Sequence, residues 1–238
     1  MATTNCGEFG TAVSRLQTTN YDKPTRIEDF LFTNDDEQLL LEDIVYGREP
    51  IPYAAVNGIL LWGNVGTGKT TLAKSLPLLI EQNAYGFKGE SLLHCHYEDC
   101  RFTERGNKTL EKVEKIIDTT PWNNASDYHY IIFDEVDNLS ALTQRNLKSL
   151  MNCQRAIFIL TTNHAHKLDK GVMDRCHHIE MNGGSIGSYE RFSQRIAADF
   201  GVVLDEEQVA RTIEKSNGSM RKFINGITRQ ARLAQRAA

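Results

Sequence analysis

Apolar and polar residues alternate in blocks along most of the chain, and the blocks predict a parallel sheet. Five short apolar runs are predicted to form buried strands, at 58–62, 91–97, 128–133, 156–160 and 177–181. Stretches with helical spacing occur at 35–47, 109–118 and 140–152. Continuous apolar strands that alternate with helices are typical of a sheet covered on both faces. We therefore predict an α/β fold with a five-stranded parallel sheet.

The pattern changes after the last predicted strand. Three glycines and two serines fall within residues 182–188, which predicts a hinge. The remaining sequence has helical spacing, at 189–200, 205–216 and 219–235. Residues 1–20 are polar and weakly patterned, as in a loose N-terminal arm. The predicted organisation is an arm over 1–20, an α/β nucleotide-binding domain over 21–184 and a small all-helical lid domain over 188–238.

One loop carries a specific signal for nucleotide chemistry. Residues 63–70 read GNVGTGKT, which fits the phosphate-binding pattern G-x-x-x-x-G-K-[ST], and the loop lies between a predicted strand and a predicted helix. Its glycines let backbone N–H groups turn toward phosphates, and the helix dipole favours negative charge at the same place. A glycine-rich turn without a ligand is the simpler alternative. The predicted nucleotide contacts are Gly63, Asn64, Val65, Gly66, Thr67, Gly68, Lys69, Thr70 and Thr71.

A second motif supplies two acids. Residues 130–135 form an apolar run that ends in Asp134 and Glu135. Because ligands of open α/β sheets lie at the carboxyl ends of strands, both acids are expected to face the nucleotide. Asp134 and the Thr70 hydroxyl are predicted to hold Mg²⁺, Lys69 to reach the β- and γ-phosphates, and Glu135 to polarise the attacking water. The expected ligands are a nucleoside triphosphate and Mg²⁺.

Composition narrows the class of protein. The chain has 238 residues, of which 40% are hydrophobic and 24% charged, and a net charge of −4. These values are ordinary for a globular protein. No apolar run approaches the roughly 18 residues of a membrane helix, and the N-terminus lacks the apolar core of a signal peptide. Five scattered cysteines favour a reducing compartment. We therefore expect a cytoplasmic protein that binds no membrane.

The motifs together resemble those of AAA+ ATPases, and in particular the small subunits of sliding-clamp loaders, over about residues 21–230. The segment YDKP at 21–24, with IEDF at 27–30, resembles the family's segment beside the adenine, which implies nucleotide contacts for Tyr21 and Pro24. Residues 138–147 are similar to the clamp-loader helix that couples the ATP and DNA sites. The run ILTTN at 159–163 resembles the sensor-1 strand, which implies that Asn163 lies near the water and the γ-phosphate.

The resemblance also implies roles for two arginines. Residues 173–176, MDRC, stand where clamp loaders carry Ser-Arg-Cys, which implies that Arg175 enters the neighbouring subunit's ATP site. Residues 218–222, GSMRK, resemble the sensor-2 helix, which implies that Arg221 touches the γ-phosphate of its own subunit. An arginine finger is worth roughly 10³–10⁵ in rate, so activity would depend on self-association through nucleotide interfaces. A strand cap for Asn163 and surface ion pairs for the arginines are the simpler alternatives.

The sequence departs from the clamp-loader pattern in two ways. Asp174 replaces the family's serine, and its carboxylate is expected either to tether Arg175 or to cap the following segment. Clamp-loader subunits continue into a helical collar that holds the ring together, whereas this sequence ends at Ala238. We therefore expect assembly to rest on the nucleotide interfaces or on another protein.

Two weaker patterns leave alternatives open. The run from His94 to His96, with Cys100, offers metal ligands, but successive strand residues alternate faces, which favours a packed strand end. The tripeptides at 124–126 and 217–219 match the glycosylation pattern and are interpreted as accidental.

Further basic residues, two of them in the GSMRK run, could contact a phosphate backbone. Arg105 and Lys108 precede a predicted helix and either hold DNA phosphate or belong to a solvated loop. The C-terminal helical segment holds seven more, which form either a solvated face or a contact for DNA or a partner: Arg211, Lys215, Arg221, Lys222, Arg229, Arg232 and Arg236.

The leading interpretation is an oligomeric, Mg²⁺-dependent ATPase, similar to clamp loaders, that couples ATP binding and hydrolysis to loading or remodelling of a DNA-replication or other DNA-bound assembly. Its expected partners are further copies of the chain, DNA contacted through its backbone, and a replication protein. The alternative is an ATP-gated binding module or helicase loader with slow hydrolysis. A small-molecule kinase is disfavoured, because a glutamate poised to activate water would waste ATP.

Overall fold

The computed structural model describes residues 26–91, 94–102, 106–122 and 124–237. The predicted arm over 1–20 lies outside this part of the chain. The strands are β1 Gly58–Trp62, β2 Cys95–Asp99, β3 His129–Asp134, β4 Ala156–Thr162 and β5 Cys176–Glu180. The helices are α1 Asp35–Val45, α2 Lys69–Ala84, α3 Gly106–Ile117, α4 Ala141–Leu150, α5 Lys170–Met173, α6 Ile186–Asp199, α7 Glu206–Ser216 and α8 Met220–Ala237.

The five strands form one parallel sheet in the order β2-β3-β4-β1-β5. This confirms the predicted five-stranded parallel sheet. The second strand begins at Cys95 rather than at residue 91, because its pairing with β3 starts with Cys95 opposite Tyr130. All strands run in the same direction, so the segments that follow β1, β3 and β4 leave the sheet at the carboxyl-terminal ends of the strands. We call this end of the sheet the carboxyl edge.

Both faces of the sheet are covered, as the continuous apolar strands predict. Ile59 and Leu61 of β1 belong to the core beneath α1 and α2, whereas Leu60 between them belongs to the core beneath α3 and α4. This alternation follows from the two-residue period of a strand. The sheet is therefore held between two helical layers, which fixes the positions of its strand ends.

A buried carboxylate ties α2 to the loop before β3. Glu81 has no exposed surface and accepts hydrogen bonds from the backbone of Ala125 at 2.6 Å, from Ser126 and from the Tyr130 hydroxyl at 2.8 Å. The Asn124 side chain is buried and donates to the carbonyl of Tyr128 at 2.8 Å. The glycosylation match at 124–126 is therefore a structural loop.

Helices α6, α7 and α8, which correspond to the predicted lid, share an apolar core around Phe192, Ile196, Phe223 and Ile227. The rings of Tyr189 and Phe223 pack edge to face, with 4.8 Å between their centroids. Helix α6 begins at Ile186, within the predicted hinge, because the Ser185 side chain accepts a hydrogen bond from the Ser188 N–H and caps it. In the described part of the chain, the helices are all too short or too polar to cross a bilayer.

Candidate active site

The loop at 63–68 joins β1 to α2, and its glycines have backbone conformations that other residues disfavour. Gly63, Gly66 and Gly68 have φ values of 138°, 83° and 102°. A Cβ atom on Gly63 would lie 2.6 Å from the carbonyl oxygen of Met181. Glycine is therefore required both by the curvature of the loop and by its close approach to the end of β5.

The Lys69 side chain lies within this loop. It is only 6% exposed, and its Nζ donates to the carbonyls of Gly63 at 2.9 Å and Asn64 at 2.6 Å. Burial lowers the pKa of the amine to about 8, although Asp134 and Glu135 act in the opposite direction. The amine can exchange these carbonyls for phosphate oxygens, whose negative charge would favour the protonated form.

Asp134 ends β3 at the carboxyl edge, and its carboxylate accepts hydrogen bonds from three hydroxyl groups. It is 2% exposed and accepts hydrogen bonds from Thr70 at 2.8 Å, Tyr97 at 2.8 Å and Thr161 at 2.5 Å. The predicted pair of Thr70 and Asp134 is therefore brought together. A hydroxyl and a carboxylate beside a phosphate loop are the oxygen ligands that Mg²⁺ prefers, so the residues fit this ion. Sequence analysis missed Tyr97 and Thr161, which come from the neighbouring strands.

Glu135 follows β3 in a left-handed conformation, with φ of 54°. Such a conformation costs a non-glycine residue about 1–3 kcal/mol and persists where the surroundings impose it. Its N–H donates to the Thr161 hydroxyl at 2.9 Å, and its carbonyl accepts from the Asn138 side chain at 2.9 Å. Its carboxylate lies 3.6 Å from Nε of Arg101, which also pairs with Asp99 at 2.7 Å. Arg101 is a third residue that sequence analysis missed.

Asn163 lies at the same edge, directly after β4, and is half-buried. The turn around it is fixed by its neighbours. Thr162 donates to Asp137 at 2.7 Å, and the other carboxylate oxygen of Asp137 lies 2.9 Å from Nδ1 of His164. The predicted sensor asparagine is therefore held beside the strand that carries the two acids.

Arg221 lies in the first turn of α8, next to the loop of its own chain. Its backbone N–H donates to the Gly66 carbonyl at 3.1 Å, and its side chain is exposed. A cavity of about 300 Å³ adjoins this contact, and it is lined by Asp29, Phe30, Gly66, Thr67, Gly68, Thr71, Met220, Arg221, Ile224 and Asn225. Residues 29 and 30 belong to the segment expected at the adenine, whereas Tyr21 and Pro24 lie outside the described residues.

Arg175 immediately precedes β5. It therefore lies at the amino-terminal ends of the strands, opposite the carboxyl edge. Its guanidinium donates to Oδ1 of Asn152 at 2.9 and 3.1 Å and to the Gly171 carbonyl at 2.8 Å. Asp174 ends α5 and is exposed, so the expected tether from Asp174 is replaced by contacts with Asn152 and Gly171. Arg175 is thus remote from the phosphate loop of its own chain.

The weaker patterns give no second site. Cys95 packs in the core on one face of the sheet and Cys100 in the core on the other. Within the described ranges, no three His, Cys, Asp or Glu side chains lie close enough to share a metal ion. Asn217, of the second glycosylation match, ends α7 in a left-handed conformation.

Of the basic residues, Lys108 is exposed in the first turn of α3, whereas Arg105 lies outside the described residues. Arg211 pairs with Glu207 at 2.6 Å. Lys222, Arg229, Arg232 and Arg236 are exposed along α8.

Comparison with solved structures shows the fold. The branch-migration motor RuvB of Thermotoga maritima aligns with a TM-score of 0.61 at 16% identity, covering 89% of this chain and 64% of that one. A DNA polymerase III gamma subunit-related protein from the same organism aligns with a TM-score of 0.52 at 12% identity, covering 84% of this chain and 59% of that one.

Comparison with characterised sequences agrees with the resemblance to clamp loaders. Replication factor C small subunit 1 of Pyrobaculum aerophilum is 30% identical over 195 residues, which are 80% of this chain and 56% of the relative. The small subunit of Aeropyrum pernix is 31% identical over 171 residues, which are 70% of this chain and 50% of the relative. The chain thus spans about half the length of these relatives.

The model of the family described as "ATPase family associated with various cellular activities (AAA)" matches residues 59–183, which is more than half of the chain. The match runs from β1 through β5 and so includes the loop, both acids and Asn163. The predicted resemblance to AAA-type ATPases is confirmed. The chain belongs to the AAA family of ATPases.

Proposed function

We propose that this chain is an oligomeric, Mg²⁺-dependent ATPase that acts like a clamp-loader subunit and couples ATP binding and hydrolysis to the loading or remodelling of a DNA-bound replication assembly. Its ATP site is completed by a second copy, or by a related subunit, that supplies Arg175. DNA is contacted through its phosphate backbone, and a replication protein is the client.

The positions of the two arginines are the observation that carries this proposal. Arg221 lines the cavity beside its own phosphate loop. Arg175 lies at the opposite edge of the sheet, held by Asn152 and Gly171. An arginine at the amino-terminal ends of the strands cannot reach the phosphate loop of its own chain. It can reach the phosphate loop of a neighbouring copy that packs against this end of the sheet. Such a residue stabilises charge in the transition state, and positioning and charge stabilisation are the main contributions that a protein makes to phosphoryl transfer.

Each residue at the carboxyl edge then has a defined task. The loop N–H groups and Lys69 hold the phosphates, and Thr70 and Asp134 hold Mg²⁺, which when bound neutralises charge on the phosphate oxygens. Glu135 accepts a hydrogen bond from the attacking water and orients it toward the γ-phosphate. Asn163 positions the same water, and Arg221 draws the lid onto the nucleotide.

The test is a mixing experiment with two inactive variants. Glu135→Gln removes the group that polarises water but leaves Arg175 intact. Arg175→Ala leaves its own site intact but supplies nothing to the neighbour. We expect each variant alone to hydrolyse ATP at least about tenfold more slowly than the parent. Mixed in equal amounts, they should regain part of the turnover, because an Arg175→Ala site next to a Glu135→Gln neighbour is complete.

The matched control is Arg155→Ala, which removes another arginine that donates to a backbone carbonyl, that of Thr119, away from the loop. It should hydrolyse ATP at the parent rate and give no gain on mixing. Normal turnover by Arg175→Ala alone would refute the action of this arginine in a neighbouring site.

A binding module with slow hydrolysis is the second candidate, and one contact favours it. Arg101 lies 3.6 Å from the Glu135 carboxylate and competes with water for it. Turnover with and without primed DNA distinguishes the candidates. Strong stimulation by DNA supports the loader, whereas turnover that stays near zero with DNA supports the module.

A role in replication is supported by the small subunits of replication factor C, to which the chain is 30% identical over 80% of its length. Contact with DNA is supported by Lys108, which is exposed in the first turn of α3, where the helix dipole also favours phosphate. Binding through phosphates alone predicts an affinity that falls steeply with salt and does not depend on base sequence.

A further inference from the structure

Asn182 links the phosphate loop to the lid, although none of the sequence motifs includes it. It lies between the end of β5 and the start of α6. Its side-chain Oδ1 accepts a hydrogen bond from the backbone N–H of Asn64 at 2.7 Å, and its Nδ2 donates to the Glu180 carboxylate. Its own N–H donates to the Thr33 hydroxyl at 3.0 Å. We propose that Asn182 is a positioning residue that couples the orientation of the lid to the shape of the phosphate loop.

Close backbone packing makes this coupling possible. A Cβ atom on Gly63 would lie 2.7 Å from Oδ1 of Asn182, and one on Gly218 would lie 2.9 Å from its carbonyl oxygen. Gly218 belongs to the turn between α7 and α8. Asn182 therefore packs between the base of the phosphate loop and the turn that precedes α8. Neither of these segments can move far without displacing it.

The lid contacts the loop a second time, at the loop's tip. The Arg221 N–H donates to the Gly66 carbonyl at 3.1 Å, and a Cβ atom on Gly66 would lie 2.6 Å from Oγ of Ser219. The phosphate loop therefore has contacts at both ends, with Asn182 at its base and with the first residues of α8 at its tip. Two contacts fix an orientation that one contact would leave free to rotate.

Asparagine suits this place because its side chain carries an acceptor and a donor on one planar group. The acceptor satisfies the N–H of Asn64 at the base of the loop, so that this donor is already paired. The donor reaches Glu180, which orients the amide. Alanine would remove both interactions, whereas aspartate would keep the acceptor but place a second negative charge beside Glu180.

The inference deepens the proposed function, because it assumes that Arg221 contacts the nucleotide. If Asn182 sets the distance between the loop and α8, its removal should reduce what Arg221 contributes to ATP binding. A residue that only supports the fold would lower stability without changing that contribution. The two roles are distinguished by a double-mutant cycle between Asn182 and Arg221.

The experiment measures ATP affinity in the Glu135→Gln background, where hydrolysis does not interfere. Asn182→Ala should weaken ATP binding about fivefold, which corresponds to about 1 kcal/mol for one hydrogen bond. Arg221→Ala should weaken binding on its own but have at most half of that effect, as a free energy, when Asn182→Ala is also present. Glu180→Gln is the matched control, because it keeps an oxygen acceptor for Nδ2 of Asn182 and should bind ATP like the parent.

Hydrogen exchange at the Asn64 amide gives a readout that does not depend on Arg221. We expect slow exchange in the parent with ATP and faster exchange in Asn182→Ala. If Asn182→Ala does not fold, Asn182→Ser, whose hydroxyl is an acceptor but is too short to reach both partners, takes its place in both measurements.

The outcomes distinguish the two proposals. Independent effects of the two substitutions, or an Asn64 amide equally protected with and without Asn182, would overturn the role of Asn182. Unchanged ATP affinity in Arg221→Ala alone contradicts the nucleotide contact proposed for Arg221 instead. In that case the exchange of the Asn64 amide still decides whether Asn182 holds the loop.

Discussion

The hydroxyl of Thr161 donates to Oδ1 of Asp134 at 2.5 Å. The same hydroxyl accepts a hydrogen bond from the N–H of Glu135 at 2.9 Å. One side chain of β4 therefore fixes the carboxylate expected to hold Mg²⁺ and the backbone that aims the carboxylate expected to polarise water. The relative orientation of the two acids therefore depends on one residue of the neighbouring strand.

Replacing Thr161 should therefore impair catalysis more than binding. Thr161→Val keeps the shape of the side chain but removes both hydrogen bonds. A buried polar group left unpaired costs about 1–3 kcal/mol, so we expect turnover to fall about 5- to 100-fold and ATP affinity to change little. Steady-state kinetics and a Mg²⁺ titration measure the effect. Thr161→Ser, which retains the hydroxyl, should stay close to the parent, and equal losses in both variants would contradict this assignment.

The pKa of Lys69, lowered by burial to about 8, predicts a pH dependence for ATP binding. Phosphate favours the protonated amine, so affinity should be nearly constant below about pH 8 and fall by up to tenfold per pH unit above it. Isothermal titration calorimetry between pH 6.5 and about pH 9.5 tests this profile. Lys69→Arg, whose side chain stays charged, should give a flat profile.

The same pKa has a different consequence for the protein without nucleotide. The value of an unperturbed lysine is 10.5, so the pKa is lower in the folded state and folding favours the neutral amine. The stability from this group is therefore present above pH 10.5 and is lost as the pH falls toward 8. Relative to Lys69→Met, the free energy of unfolding of the parent should rise over that interval. A difference that stays constant with pH would contradict the lowered pKa.

Two substitutions at the loop and the acid pair should affect different steps. Lys69→Ala removes the only side-chain ammonium described within the loop and should abolish detectable ATP binding. Glu135→Gln keeps the size of the side chain and should bind ATP while turnover falls by at least about 100-fold. Equilibrium binding and phosphate release measure the two steps. Turnover by Glu135→Gln at the parent rate would exclude Glu135 as the residue that polarises water.

Arg101 should restrain basal turnover, because its guanidinium pairs with Glu135. The Arg101 side chain is exposed and the pair spans 3.6 Å, so the attraction between the two groups is weak. We expect Arg101→Ala to raise basal hydrolysis up to about fivefold and to reduce any stimulation by DNA. High salt should have the same effect on the parent and less effect on the variant. A lower basal rate in Arg101→Ala would show that the arginine assists Glu135 rather than restrains it.

Contiguous motifs made part of this site predictable. The loop from Gly63 to Thr71 and the acids 134 and 135 follow apolar strands directly, so their shared edge could be deduced from the parallel direction of the strands. The strand order β2-β3-β4-β1-β5 could not be deduced, because an apolar run predicts a strand but not which strands lie beside it in the sheet. Tyr97 and Thr161 come to Asp134 only through that order, which is why they were missed.

Asn182 was missed for a related reason. Its sequence context, beside two glycines and a serine, predicts a flexible connection, and only the approach of β5 to the loop gives its amide a partner. The start positions of two elements also differed from those predicted, one because of a tertiary contact and one because of a local cap. Strand β2 begins where β3 offers a partner, and α6 begins where Ser185 can cap it.

The placement of Arg175 and the phosphate loop at opposite edges of one sheet gives each molecule a front and a back. Copies that join front to back form a heterologous contact, which continues until the stack closes on itself or runs out of subunits. In an open arc, the phosphate loop of one terminal copy receives no Arg175 from a neighbour. At the other end, Arg175 of the terminal copy has no neighbouring phosphate loop to enter. An arc of any size therefore contains one fewer competent site than it has subunits, and a closed ring contains as many.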